Sequence, residues 1–164
     1  MKDDKNKDYL NWDDTFMLMA DLVSKRSKDP NTQTGACIVD EDKVIVGVGY
    51  NGFPRGCNDN DLPWCRSGKS ALDVKYTYVV HAEANAVMNS NASVRGCILY
   101  CTLFPCNECA KVIIQNGIKE VVYKDDTYKD LDIFKASRKM LEMAGVILRQ
   151  YTPEHKIEIK KNKK

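Results

Sequence analysis

The stretch CILYCTLFPCNECAKVIIQNGIKEVVY, residues 97–123, decides the fold. Its ends, CILYCT (97–102) and KEVVY (119–123), are short apolar runs that read as strands. Residues 106–116 between them read as a helix, with Pro105 at its start and Gly117 just past its end. A strand, helix and strand joined this closely predict parallel strands with a right-handed crossover. Working downstream, a helix over 131–144, Gly145 as its stop and a strand VILRQ (146–150) repeat the unit. Working upstream, AEANAVM (82–88) reads as a further helix. Before it, GACIVD (35–40) and KVIVGVGYN (43–51) form a predicted hairpin turning at Glu41 and Asp42. Residues 12–26 have Trp12, Phe16, Ala20 and Val23 at helical spacing. The hairpin followed by alternating strands and helices makes the expected sheet mixed. The polar segment from 53 to about 76 is long for a connection, and such connections are usually functional.

Two short motifs sit at the starts of the helices on either side of the first of these strands. His81-Ala82-Glu83 gives H-x-E, and Pro105-Cys106-Asn107-Glu108-Cys109 gives P-C-x-x-C. One imidazole and two thiolates are three zinc ligands, the number a catalytic site supplies while leaving a position for water. Cys106 and Cys109 share one side of a first helical turn, where the helix dipole favours thiolates. Glu83 is too close to His81 to chelate comfortably and suits a proton-carrying carboxylate beside the ion. Zinc lowers the pKa of a bound water toward about 7, which makes hydroxide available as a nucleophile near neutral pH. A C-x-x-C pair alone reads equally as a structural zinc knuckle or a redox pair. The H-x-E upstream favours the catalytic reading.

Composition bounds the rest. With 164 residues, 43% hydrophobic and 29% charged, the chain reads as one globular domain over 1–164, its core about 8–150. No apolar run approaches the ~20 residues that span a bilayer. The start, MKDDKNKDYL, has no apolar segment of a signal peptide, so a cytoplasmic location is expected and no membrane partner. Net charge is +2, while five Lys and one Glu in 156–164 make that tail +4 and the remainder −2. The tail KIEIKKNKK (156–164) reads as disordered and solvated, with contact to nucleic acid as the alternative, and a body that is not basic argues against dedicated nucleic-acid binding. His155 reads as a solvated surface residue. Of seven cysteines, Cys37, Cys97 and Cys101 lie in apolar strands as expected buried thiols. Cys57 and Cys65 lie in the polar loop, where a disulfide or a second metal is the alternative to the free thiols that a reducing compartment favours.

The pattern H-x-E with P-C-x-x-C is the signature of zinc-dependent nucleobase deaminases. The order of elements is similar to the cytidine deaminase superfamily, which implies a three-layer α-β-α sandwich around a mixed five-stranded sheet. SKDPNTQTGACIV (27–39), GYNGFPRGC (49–57), LPW (62–64), YTYVVHAEANAVMN (76–89), LFPCNECAKVIIQNGIKEV (103–121) and MAGV (143–146) together resemble deoxycytidylate (dCMP) deaminases. The resemblance implies conversion of dCMP and water to dUMP and ammonia, feeding dTMP synthesis. It implies one Zn2+ per subunit on His81, Cys106 and Cys109, with Glu83 as general acid/base. Asn51 and the Ala82 amide would contact the substrate, and Arg26, Ser27, Lys28 and Asn31 are the candidates for its phosphate. It further implies activation by dCTP and inhibition by dTTP, with Mg2+ on the triphosphate, around Gly49, Tyr50, Asn51 and Gly52. Gly52 would there permit a tight turn or a close approach of phosphate. Such regulation implies a homo-oligomer, a trimer or hexamer, with loop 53–75 at an effector site or interface. The competing readings are a deaminase acting on a polynucleotide, tRNA or single-stranded DNA, and a non-enzymatic zinc scaffold.

Overall fold

The computed structural model describes residues 8–162; residues 1–7 and 163–164, with the start of the chain and the end of the basic tail, lie outside the described residues. The helices are α1 (Trp12–Ser24), α2 (Ala82–Met88), α3 (Asn107–Gln115) and α4 (Asp132–Met143). The strands are β1 (Gly35–Val39), β2 (Ile45–Tyr50), β3 (Ile98–Leu103), β4 (Glu120–Asp125) and β5 (Ile147–Gln150). They form one sheet in the order β2-β1-β3-β4-β5. β1 is antiparallel to both β2 and β3, whereas β3–β4 and β4–β5 are parallel, so the sheet is mixed as expected.

Side-chain alternation divides the core in two. Ala36, Ile38, Leu99, Cys101, Val121 and Tyr123 face α2, α3 and α4. Cys37, Val39, Ile98, Tyr100 and Val122 face α1 through Phe16, Met17 and Ala20. The result is the three-layer α-β-α sandwich. Both parallel crossovers advance in the same direction along the sheet, and a fixed hand therefore puts α3 and α4 on the same face. Gly117 and Gly145 stop α3 and α4 at φ 73° and 75°, a backbone that a Cβ disfavours.

Three details differ from the sequence reading, and a fourth feature was not foreseen by it. The hairpin is longer at its turn, because Lys43 takes a left-handed φ of 68° and β2 begins only at Ile45. Trp12 does not enter the core; it stands 57% exposed at the helix start, stacked on Phe16 with ring centroids 5.4 Å apart. Gly52 is not a tight turn. It lies outside the left-handed region and forms an isolated bridge with Val80, its N–H donating to Val80 O at 3.1 Å and its carbonyl accepting from Val80 N at 2.8 Å. The tail is anchored at its root. Asp14 has a fully buried carboxylate, which demands partners, and it accepts from the Tyr151 hydroxyl (2.8 Å) and the Glu154 amide (3.1 Å). His155 is an exposed surface residue, as expected, and its Nδ1 pairs with the same carboxylate at 2.5 Å. Beyond Tyr151 the described tail forms no helix or strand.

Candidate active site and metal centre

The motif residues converge at one sheet edge. Because β1 runs against its neighbours, its start lies beside the ends of β2 and β3, and the starts of α2 and α3 point to the same place. His81 caps the N-terminus of α2 and Cys106 that of α3, with Cys109 in the first turn of α3. Both helices thus present positive dipole ends to the donors. Two contacts fix α2. The Asn85 amide donates to Tyr50 O at 2.8 Å, and β2 runs so close beneath that a Cβ on Gly49 would lie 2.2 Å from Ala82 O. The approach to α3 is fixed from α4: the buried Ser137 hydroxyl donates to Pro105 O at 2.8 Å, and the Arg138 guanidinium lies 4.3 Å over the Phe104 ring.

His81 Nδ1 lies 3.3 Å from Cys106 Sγ and 3.5 Å from Cys109 Sγ, and the three donor atoms all fall within 4.8 Å of one another. A tetrahedral zinc with Zn–S of about 2.3 Å and Zn–N of about 2.0 Å needs donors roughly 3.5–3.8 Å apart, so the set fits the ion. No other cluster of three such ligands occurs among the described residues. The Cys106 contact raises the His81 imidazole to about 9, against the effect of its burial. Cys106 is lowered, first by its contact with Cys109 and also by His81, while the same contact and burial raise Cys109. The pair therefore holds its negative charge on Cys106, next to the imidazole. Glu83 is 6% exposed, and its Oε2 accepts from Cys109 Sγ at 3.4 Å. Burial raises its carboxyl, which suits a group that takes and returns a proton near neutral pH.

Glu83, His81 and Cys106 lie in a cavity of about 450 Å³. Leu103, Phe104, Tyr128 and Phe134 make one wall apolar. The polar part of the lining is built around Asp29 and Asn51. The Asn51 amide donates to Asp29 Oδ2 (3.2 Å) and Thr32 O (2.9 Å), and its carbonyl accepts from Thr34 N (2.8 Å). Asp29 also accepts from Asn31 N, Thr32 N and the ammonium of the buried Lys75. Ala82 opens α2, so its N–H has no partner within the helix.

The phosphate candidates are not brought to this cavity; none of Arg26, Ser27, Lys28 or Asn31 lines it. Ser27 is buried and donates to Asn51 O, Lys28 pairs with Asp59, Asn31 donates to Trp64 O, and Arg26 lies 5.9 Å over the Tyr50 ring. They serve to brace the polar wall and the loop outside it. The cations that do line the cavity are Arg66 and Lys75, both from the connection after β2. Sequence reading missed them, along with Asp29. The one available signal was the length of a polar connection ending directly before His81. Of the effector candidates, Gly49 packs under α2, Tyr50 offers its carbonyl to Asn85, Asn51 belongs to the cavity wall and Gly52 bridges to Val80. Cys57 and Cys65 are exposed free thiols, and Cys37, Cys97 and Cys101 are buried, as expected.

Comparison with known proteins agrees with this geometry. A family model described as the cytidine and deoxycytidylate deaminase zinc-binding region matches residues 10–125. A deoxycytidylate deaminase of Pongo abelii is 56% identical over 151 residues, 92% of this chain and 85% of that one. The human deoxycytidylate deaminase is 55% identical over the same shares. Among solved structures, the dCMP deaminase of cyanophage S-TIM5 in complex with dCMP and dUMP aligns with a TM-score of 0.68 at 29% identity, over 84% of this chain and 94% of that one. The family match runs from the start of α1 to the end of β4 and includes the whole metal centre, and the chain belongs to the cytidine and deoxycytidylate deaminase family.

Proposed function

We propose that this protein deaminates dCMP hydrolytically to dUMP and ammonia within one domain spanning 1–164. The observation that carries the reading is the buried Glu83 carboxyl beside the His81, Cys106 and Cys109 donors in a cavity of nucleotide size. Identity of 55–56% to deoxycytidylate deaminases and the alignment with a dCMP-bound relative support it. His81 Nδ1 and the two thiolates would hold one zinc, which when bound supplies water with a pKa lowered to about 7. Glu83 would take one proton from the attacking water and deliver it to N3 of the cytosine, then take the second from the hydroxyl added at C4 and pass it to the amine, so that ammonia leaves as the C4 carbonyl forms. The Ala82 N–H, which opens α2 between His81 and Glu83, would read the pyrimidine edge. Asn51 has both amide protons committed, so it offers the substrate an acceptor. The apolar wall of Phe104 and Phe134 excludes water from the ring.

The wider reading is that dUMP feeds dTMP synthesis in the cytoplasm. In it, dCTP activates and dTTP inhibits a homo-oligomer, a trimer or hexamer, through Gly49, Tyr50, Asn51 and Gly52, with Mg2+ on the triphosphate. The motif GYNG at the end of β2 supports it. No helix among the described residues is long and apolar enough to cross a membrane.

The test is loss of cytosine absorbance when zinc-loaded protein meets dCMP, run beside Glu83→Ala. Wild type is expected to convert dCMP. The variant is expected to keep one zinc and lose turnover by about 10²–10⁴-fold, the usual range for a general acid/base. Equal turnover in the variant would remove Glu83 from the mechanism. No conversion by zinc-loaded wild type, with activity on single-stranded nucleic acid instead, would replace dCMP with a polynucleotide substrate.

A further inference from the structure

Two cations line the cavity, and they are not equivalent. Lys75 is buried, with its ammonium against Asp29, so its charge is neutralised where it stands. Arg66 is exposed at the cavity and has no carboxylate partner among the described residues. Its Nη2 donates to Thr32 Oγ1 at 2.7 Å. That bond ties the guanidinium to the polar wall and occupies one of its five donors, leaving four. A planar fork of free donors matches a phosphate bidentately, which a single ammonium does not. The acids of the cavity do not cancel this charge, since Asp29 is held by Lys75 and Glu83 lies deep beside Cys109. Outside the cavity, Lys28 is already paired with Asp59 and Arg26 stacks on Tyr50.

We propose that Arg66 is the residue that selects a nucleoside monophosphate over the free nucleoside, by binding the 5′-phosphate at the cavity, and that Lys75 is a positioning residue. This rests on the deaminase reading above and assigns the specificity of the same site. Lys75 acts through Asp29. It holds the carboxylate that orients the Asn51 amide, and it leaves no free charge for the ligand.

The experiment uses zinc-loaded protein and two probes, dUMP and deoxyuridine, titrated by calorimetry, with dCMP turnover measured in parallel. Wild type is expected to bind dUMP more tightly than deoxyuridine. Arg66→Gln is expected to weaken dUMP about 10- to 100-fold, the range for a charge-assisted contact, and deoxyuridine less than about twofold. Its KM for dCMP should rise with kcat largely kept, the mark of binding lost equally from ground and transition states. Arg66→Lys should recover only part of the loss. Arg66 lies on an exposed loop, so the fold is not at risk. Wild-type affinity for dUMP in Arg66→Gln overturns the assignment. So does loss of the dUMP preference in Lys28→Gln with its retention in Arg66→Gln. Zinc-loaded wild type that leaves dCMP unchanged overturns the deaminase reading itself, and that result is separate from both.

Discussion

Asp29→Asn tests whether the polar wall is held by charge or only by shape. The side chains of Asp29 and Lys75 are 1% and 6% exposed, so water replaces neither partner when the other is removed. Asparagine keeps the volume and one acceptor for Asn31 N and Thr32 N, but it leaves the Lys75 ammonium buried beside a neutral amide. Breaking a buried pair from one side costs about 3–5 kcal/mol. At about 2–4 °C per kcal/mol for a chain of this size, the melting temperature should fall by roughly 6–20 °C. Lys75→Met should cost less, about 1–3 kcal/mol, because Asp29 keeps its bonds from Asn31, Thr32 and Asn51. Combining the two should recover at least about 1 kcal/mol of their sum, since the residues are in contact. The pH dependence has a definite sign. Burial alone would raise the Asp29 carboxyl, yet Lys75 and the two amides hold it below its ordinary value. A depressed carboxyl contributes stability that is full above its unfolded value of about 3.9 and is lost as pH falls through the lower folded value. The gap between wild type and Asp29→Asn should therefore be constant near neutrality and close below about pH 4. Urea denaturation from pH 3 to 7 reads this directly. A penalty under about 1 kcal/mol at pH 7, or one that widens in acid, would refute the reasoning.

Two further outcomes follow from the metal centre and its support. Cys106→Ala should lose bound zinc by elemental analysis and melt at lower temperature, because metal binding is coupled to folding; stoichiometric zinc in that variant would contradict the ligand set. Gly49→Ala would place a methyl 2.2 Å from Ala82 O and 2.3 Å from Ala86 N, both backbone atoms. That should displace α2 at a cost of about 1–3 kcal/mol and lower dCMP turnover with it; unchanged stability and turnover would show that β2 does not set the position of His81 and Glu83.

What could be read from the sequence was what neighbouring residues determine together. The C-x-x-C pair, the H-x-E triplet and the two glycine stops lie within a turn or two of the structure they specify, and all fall where spacing puts them. Arg26 and Lys28 carry the charge a phosphate needs and lie close to β1 in sequence. Whether a cation is available depends on what lies across from it, and Lys28 meets Asp59, 31 residues away. The same non-locality hid Asp14 as the anchor of the tail, since its partners are Tyr151 and His155.

Arg66 was out of reach for a further reason, which lies in the strand order. β1 runs against β2 and β3, so the end of β2 and the start of β1 share one edge with the end of β3. The connection after β2 leaves from that edge at Asn51 and returns to it at His81. The Gly52–Val80 bridge closes the connection like a purse string, with hydrogen bonds of 3.1 and 2.8 Å. Both ends are thus held beside the metal centre, and the segment between them is kept near the cavity rim whatever its internal sequence. Inside it, the Cys65 carbonyl accepts from Lys75 N at 2.9 Å, which brings the backbone beside Arg66 back against the buried end of the loop. A cation at position 66 is delivered to the cavity by these closures, not by any motif around it. The length of the connection told that it mattered, and the bridge tells where it acts.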